Sequence, residues 1–249
     1  MGERENHERE RDGNDGRNLV ITRCEIGSDY NAPVSTRTAE YLEAVDHLPA
    51  GSTLVIHDFT WDDYEHLVEE LAERHFRVSY DCGRLEIMTP LPEHETYARF
   101  IDRLVYAYAE RRDLTVENYG SATWKRGSLG RGVEPDSCYY VASAVRIIGK
   151  RHQIDLESDP PPDIVLEIDV TNESLSKFGI YAALSVPEIW RYDGQQVQFY
   201  ELADRAYREI SESKSLPGLK PAMLGNALEQ CKTEGQTASL RAFRSRPAR

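Results

Sequence analysis

Apolar residues along this chain recur either at every second position over short runs or at every third and fourth position over longer ones, and each period predicts an element. From Thr60, TWDDYEHLVEELAERH sets an N-capping threonine before acidic first-turn residues and apolar Tyr64, Leu67, Val68 and Leu71, which predicts an amphipathic helix. FRVSYDCGRLEIMTP then gives two alternating runs joined around Asp81-Cys82-Gly83, a β-hairpin signal. Pro92-Glu93-His94-Glu95 opens a second helix, with Tyr97, Phe100, Ile101, Leu104, Val105 and Tyr108 on its apolar side. LTVENYGSATWKRG and GVEPDSCYYVAS read as strands around a glycine-rich turn holding Gly127, Gly130 and Gly132. Residues 142–159 predict a short strand or helix with a polar loop.

The segment from Pro160 to Gly194 is the most informative. It predicts a buried strand over residues 164–170, a short loop, a helix ending near Ser185, and a strand entering a hairpin at Asp193-Gly194. IWRYDGQQVQFYEL and residues 206–210 continue as an antiparallel hairpin or meander. Together the elements give an α/β (α+β) fold, a mixed sheet flanked by helices.

The periodic pattern fades at both ends. Residues 1–18 are almost wholly polar and of mixed charge, so they predict a disordered N-terminus. Residues 19–59 form an extension with one helix over RTAEYLEAVDHL (37–48), residues 60–212 form the core domain, and residues 213–249 form a tail with one short helix from Lys220. At 249 residues the chain is long enough for one good-sized domain. No apolar run of about 18 residues suggests a membrane span, and the polar first residues lack the apolar region of a secretory signal. The four cysteines, Cys24, Cys82, Cys138 and Cys231, lie far apart without zinc-like spacing, which predicts reduced thiols and a cytoplasmic location.

Within the apolar run Ile-Val-Leu-x-Ile-x-Val sit two carboxylates, Glu167 and Asp169. Strand side chains alternate, so the two share a face, and burying ionised carboxylates without partners costs several kcal/mol, of the order of 3–5. A cation is expected there, and a metal ion or Lys177 from the following helix would serve. Asp136, pinned by Pro135 before a strand, is a third carboxylate. Oxygen-rich sites of two or three carboxylates suit Mg2+ or Mn2+. A lysine nearby would orient or help deprotonate water, or stabilise charge on phosphorus. Asp169 has two alternatives to metal ligation: pairing with Lys177, or bonding loop amides around Thr171 and Asn172. No GxGxxG, P-loop, GxSxG or HExxH pattern competes with this reading.

The net charge of −13 opposes general polyanion binding. Charge is uneven, however: residues 96–131 carry seven basic side chains against four acidic ones, and the last 18 residues carry five basic side chains and only Glu234. Either stretch would form a local basic face, or else a solvated helix face and a disordered tail.

Asp136, Glu167 and Lys177, with EPDSCYYV and DIVLEIDVTNESLSKFGIYAALSVPEIWRYDG around them and weaker agreement in YDCGRLEIMTPLPEHE, resemble the Uma-two family of endonucleases. That family belongs to the PD-(D/E)xK superfamily, with a restriction-endonuclease-like fold, and the likeness covers roughly residues 60–210. The resemblance implies a Mg2+- or Mn2+-dependent hydrolase of DNA phosphodiester bonds. It implies Asp136 and Glu167 as metal ligands, with the Ile168 carbonyl as a third. It also implies Glu95 on the first core helix as a further acidic metal-site residue and His94 as an accessory one. The superfamily usually places its lysine two residues after the glutamate, where this chain has Asp169. The resemblance therefore implies a lysine moved to the next helix, four residues before a tyrosine, which Lys177 and Tyr181 match. Such enzymes often act as homodimers. Two other readings fit the same residues: a catalytically weak module that binds nucleic acid or protein, and a metal-dependent hydrolase of a small phosphoester.

Overall fold

The structure, a computed structural model, describes residues 18–21, 41, 45, 47–72, 74, 76–150, 154–170 and 175–245. Its first half runs β1 (Asn18–Ile21), β2 (Thr53–Ile56), α1 (Trp61–Leu71), β3 (Arg77–Asp81), β4 (Arg84–Met88), α2 (Pro92–Arg112), β5 (Glu117–Asn118), β6 (Trp124–Arg126) and β7 (Arg131–Val133). The second half runs β8 (Ser137–Tyr140), α3 (Ala144–Ile147), β9 (Ile164–Ile168), α4 (Phe178–Ala183), β10 (Glu188–Tyr192), β11 (Val197–Ala203), β12 (Ala206–Ile210), α5 (Pro221–Glu234) and α6 (Gln236–Ser245).

Local chemistry explains the boundaries. Thr60 caps α1 by accepting from the Asp63 amide at 3.1 Å while its hydroxyl donates to Asp63 Oδ2 at 2.7 Å. The β3–β4 hairpin closes through a two-residue turn in which Cys82 and Gly83 both take positive φ, 46° and 103°, as a turn matched to strand twist requires. Pro92 begins α2 without losing a hydrogen bond, and Asp113 ends it in the left-handed region. Gly132 on β7 admits no side chain, since a Cβ there would lie 2.0 Å from the Tyr64 hydroxyl.

The strands form two six-stranded sheets rather than the single mixed sheet that alternation alone suggested. The first runs β1-β2-β4-β3-β7-β6 and the second β12-β11-β10-β9-β8-β5. In the second, β9 and β10 are parallel, and β8 joins β9 antiparallel. The mixture of helices and sheets is the expected α+β, restriction-endonuclease-like class.

Three clusters hold the fold. Tyr64, Leu67, Val78, Tyr80, Leu85 and Ile87 pack α1 on one face of the first sheet, joined by Tyr41 and Val45. A second cluster stitches the sheets together, with Trp124 and Val133 meeting Cys138, Tyr140, Val165 and Tyr181. The largest packs α2 against the second sheet, with Phe100, Ile101, Leu104 and Tyr108 against Leu166, Trp190 and Phe199. Residues 213–245 also enter this cluster through Leu216, Leu219, Leu224, Leu228 and Phe243. The C-terminal region thus carries two helices, not one, and both bury side chains beneath α2.

Several expectations lie outside the described residues: the polar N-terminus through residue 17, most of the helix predicted over 37–48, and the loop at Thr171 and Asn172. Residue 41 and residue 45 are helical, as that pattern predicts. No helix among the described residues is long and apolar enough to cross a membrane.

Candidate active site between the two sheets

Strand pairing brings the acidic residues together. Ser137 pairs with Leu166, so the next antiparallel position sets Asp136 beside Glu167. Two bonds fix Asp136: its amide donates to the Leu166 carbonyl at 3.0 Å, and its Oδ2 accepts from the Ile168 amide at 2.8 Å. Its Oδ1 is buried and accepts no hydrogen bond among the described residues.

Glu167 is 1% exposed. Its Oε2 accepts from Lys177 Nζ at 2.9 Å, and its Oε1 accepts from the Tyr181 hydroxyl. Lys177 ends a 3-10 turn (Leu175–Lys177) that leads into α4, and Tyr181 lies one helical turn later on the same face. The spacing of lysine and tyrosine therefore directs both donors at one carboxylate. Burial pushes the Glu167 carboxyl up to about 7; Lys177 and Tyr181 oppose this, while Asp136 and Asp169 add to it. Burial works against the Lys177 charge, yet Glu167 and Asp136 outweigh it and hold the ammonium well above its ordinary range. Lys177 is a fixed cation, not a base.

Asp169 accepts from Arg191 Nε, which is an ionic partner where Lys177 was one of those expected. His94, in the first turn of α2, is 1% exposed. Burial lowers its imidazole, against the charges of Asp136 and Asp169 and with that of Lys177. Glu95 stands farther out, its side chain 42% exposed, and pairs with Arg77 and with Arg99. Ile168 sits at the end of β9, its amide bound to Asp136. Asp136, Glu167 and Lys177 thus converge, His94 and Asp169 adjoin them, and Glu95 reaches the cluster through Arg77.

Sequence reading missed the other wall. On β3 and β4, Val78, Tyr80, Leu85 and Ile87 face the first core, so Arg77, Ser79 and Glu86 face the opposite way. Alternation suggests that this polar face meets water, yet Arg77 and Ser79 are buried. They line the space between the sheets. Arg77 donates to Glu95, and its Nε faces Asp136 Oδ1 at 3.7 Å. Glu86 is among the carboxylates that raise Lys177. Glu134 accepts from the Val78 amide at 3.1 Å and from the Thr123 hydroxyl at 2.5 Å, and burial raises its carboxyl. A cleft of about 390 Å³ opens past Arg77, Thr123 and Glu134, and a second of about 640 Å³, lined by Asn118, Tyr119 and Trp124, shares Ala122 and Thr123 with it. The sequence signal for this wall is its run of ionic residues on one strand face, which periodicity alone assigns to solvent.

The expected basic face is largely engaged within the chain. Arg99 pairs with Asp102 and Glu95, Lys125 with Glu65, and Arg131 with Asp81. Arg103 donates to Gln236, Arg111 to the last carbonyls of α6, and Arg126 to the Leu156 carbonyl, while Arg112 lies over the Tyr108 ring.

Among the described residues, no three His, Cys, Asp or Glu side chains converge as a ready metal cage. Two adjacent buried carboxylates, one with an unbonded oxygen, nonetheless suit a hard cation that keeps several waters and takes one or two carboxylates from protein. The donor set fits Mg2+ or Mn2+.

No curated protein matches the chain. The family model described as "Uma2: Putative restriction endonuclease" matches residues 61–230, which span α1 through most of α5 and every residue of the cluster. Over two thirds of its length, and across the whole of the site just described, the chain belongs to the Uma2 restriction endonuclease family.

Proposed function

We propose that this protein is a Mg2+- or Mn2+-dependent endonuclease that hydrolyses DNA phosphodiester bonds. The observation that carries the reading is Asp136 Oδ1, a buried carboxylate oxygen beside Glu167 that accepts no hydrogen bond among the described residues. Among the described residues it is the one buried carboxylate oxygen so left, and buried polar atoms usually have a partner. Asp136 and Glu167 would hold the ion, with the Ile168 carbonyl and Asp169 as the nearest further oxygen donors. A bound divalent ion supplies a lowered water pKa and positive charge for a phosphoryl oxygen.

The chain's own residues do the remaining work. Lys177, kept protonated by Glu167 and Asp136, orients the attacking water and stabilises charge growing on phosphorus. Tyr181 holds Glu167 from the other side and fixes its rotamer. His94, whose imidazole burial pushes down against the charges of Asp136 and Asp169, is an accessory group. DNA is the substrate in this reading, a homodimer reaches both strands, and the free thiols of Cys82, Cys138 and Cys231 suit the cytoplasm.

A second reading, hydrolysis of a small phosphoester, is favoured by one observation: the seven basic residues from Arg99 to Arg131 all have partners within the chain, on a protein of net charge −13. The test is cleavage of single- and double-stranded DNA with Mg2+ or Mn2+, wild type against Glu167→Ala. Metal-dependent cleavage lost in the variant is expected. Equal activity in both, or none in wild type with either metal, overturns the proposal, and turnover of an activated aryl phosphodiester alone selects the second reading.

A further inference from the structure

Arg77 and Asp136 present complementary buried atoms that fail to meet. Among the described residues, Asp136 Oδ1 accepts no hydrogen bond and Arg77 Nε donates none, and the two stand 3.7 Å apart, too far for one. The guanidinium is held at this distance from its other edge, where Nη2 donates to Glu95. Glu95 in turn shares Arg99 and is the exposed member of the chain of charges. Arg77 is therefore anchored outward, beside the acidic cluster but not bonded to its inner carboxylate.

We infer that Arg77 is the resident counter-ion of Asp136, which competes with the divalent ion for that carboxylate and holds its affinity down. The inference rests on the metal reading above. A guanidinium cannot lose its charge in a protein, so its repulsion of a doubly charged ion within a few ångströms is permanent. Burial limits the screening that would weaken this repulsion at the surface. Glu95 then acts as an anchor that sets where the guanidinium rests, in place of the metal-site role the resemblance implied.

The test is Mn2+ binding to the full chain, read from the resonance signal of free Mn2+ and independent of turnover. Arg77→Gln removes the charge and keeps a polar side chain; it is expected to bind Mn2+ about 10-fold more tightly than wild type, since a nearby unit charge carries an effect of this order. Arg77→Lys, which keeps the charge, stays near wild type. A purely structural Arg77 predicts the opposite, because a misplaced Asp136 binds more weakly. Unchanged or weaker binding by Arg77→Gln, with wild type binding normally, overturns the inference alone. Wild type and Arg77→Gln both failing to bind Mn2+ overturns the metal reading and this inference with it. If Arg77→Gln does not fold, Arg77→Met, which keeps the aliphatic stem, carries the same expectation.

Discussion

Two buried aspartates lie on either side of β8 and are treated in opposite ways. Asp102, from α2, accepts from Asn118 at 2.9 Å, Ser137 at 2.7 Å and Tyr139 at 2.7 Å through Oδ1, and from Arg99 at 3.1 Å through Oδ2. Asp136, one residue before β8, has one satisfied oxygen and one bare. Asp163 follows the pattern of Asp102, bonding the amides of Val141 and Ser143 and the Ser143 hydroxyl. Asp102 and Asp163, which build the fold, have both oxygens bonded, chiefly by neutral donors of the scaffold. At the candidate site Asp136 and Glu167 face one another beside Lys177 and Arg77, and among the described residues Asp136 Oδ1 keeps coordination capacity in reserve.

The sharpest way to break the comparison is Glu167→Ala, expected to lower metal-dependent cleavage by at least about 100-fold, as loss of a metal ligand or its support commonly does. Circular dichroism checks that the variant remains folded. Asp102→Ala should act on stability instead. It strands three buried donors and costs about 3 kcal/mol or more, hence a melting temperature roughly 10 °C lower. Asp136→Asn keeps the bond to Ile168, should change stability by only about 1 kcal/mol, and should abolish Mn2+ binding. A large loss of stability in Asp136→Asn would place Asp136 with the scaffold.

A pH dependence attaches to the candidate site through Glu167. Burial raises the folded carboxyl of Glu167 from 4.5 to about 7, so its stabilising contribution is complete below 4.5 and is lost as pH rises through about 7. In metal-free buffer, the melting temperature of wild type minus that of Glu167→Gln should therefore fall between pH 4.5 and 7. An unchanging difference would contradict the burial of an ionisable Glu167. The smallest effects come from the two tyrosines. Tyr139→Phe removes one of four donors from Asp102 and should cost about 1 kcal/mol with little change in activity. Tyr181→Phe removes a donor that lowers the Glu167 carboxyl, so the acidic limb of the activity profile should move to higher pH.

Periodicity was sufficient for α1, the β3–β4 hairpin, α2 and the β10–β11 hairpin, because each announces itself within its own residues through a cap, a turn or a stripe. Glu167 was legible for the same reason: a charge inside an apolar strand violates a local rule. Arg77, Glu86 and Glu134 were not. Each obeys the local rule, lying on the polar side of an alternating run or in a turn, and only the second sheet reveals that this side is enclosed. Asp102 was hidden likewise, an ordinary acidic residue in an amphipathic helix until β5 and β8 supply its donors. The two C-terminal helices were underestimated because their apolar stripe is thin and is completed by α2.

The partition of the charges between the sheets has a mechanical consequence. Arg77 rides on the first sheet, whereas Asp136 and Glu167 ride on the second, and the sheets are joined through the seam around Trp124, Val133 and Tyr140. Sliding one layer past the other by an ångström would change the 3.7 Å separation of Arg77 and Asp136 by a comparable amount, while each sheet keeps its own hydrogen-bond ladder intact. A displacement of either layer at the seam would thus be converted into a change of electrostatic force at Asp136.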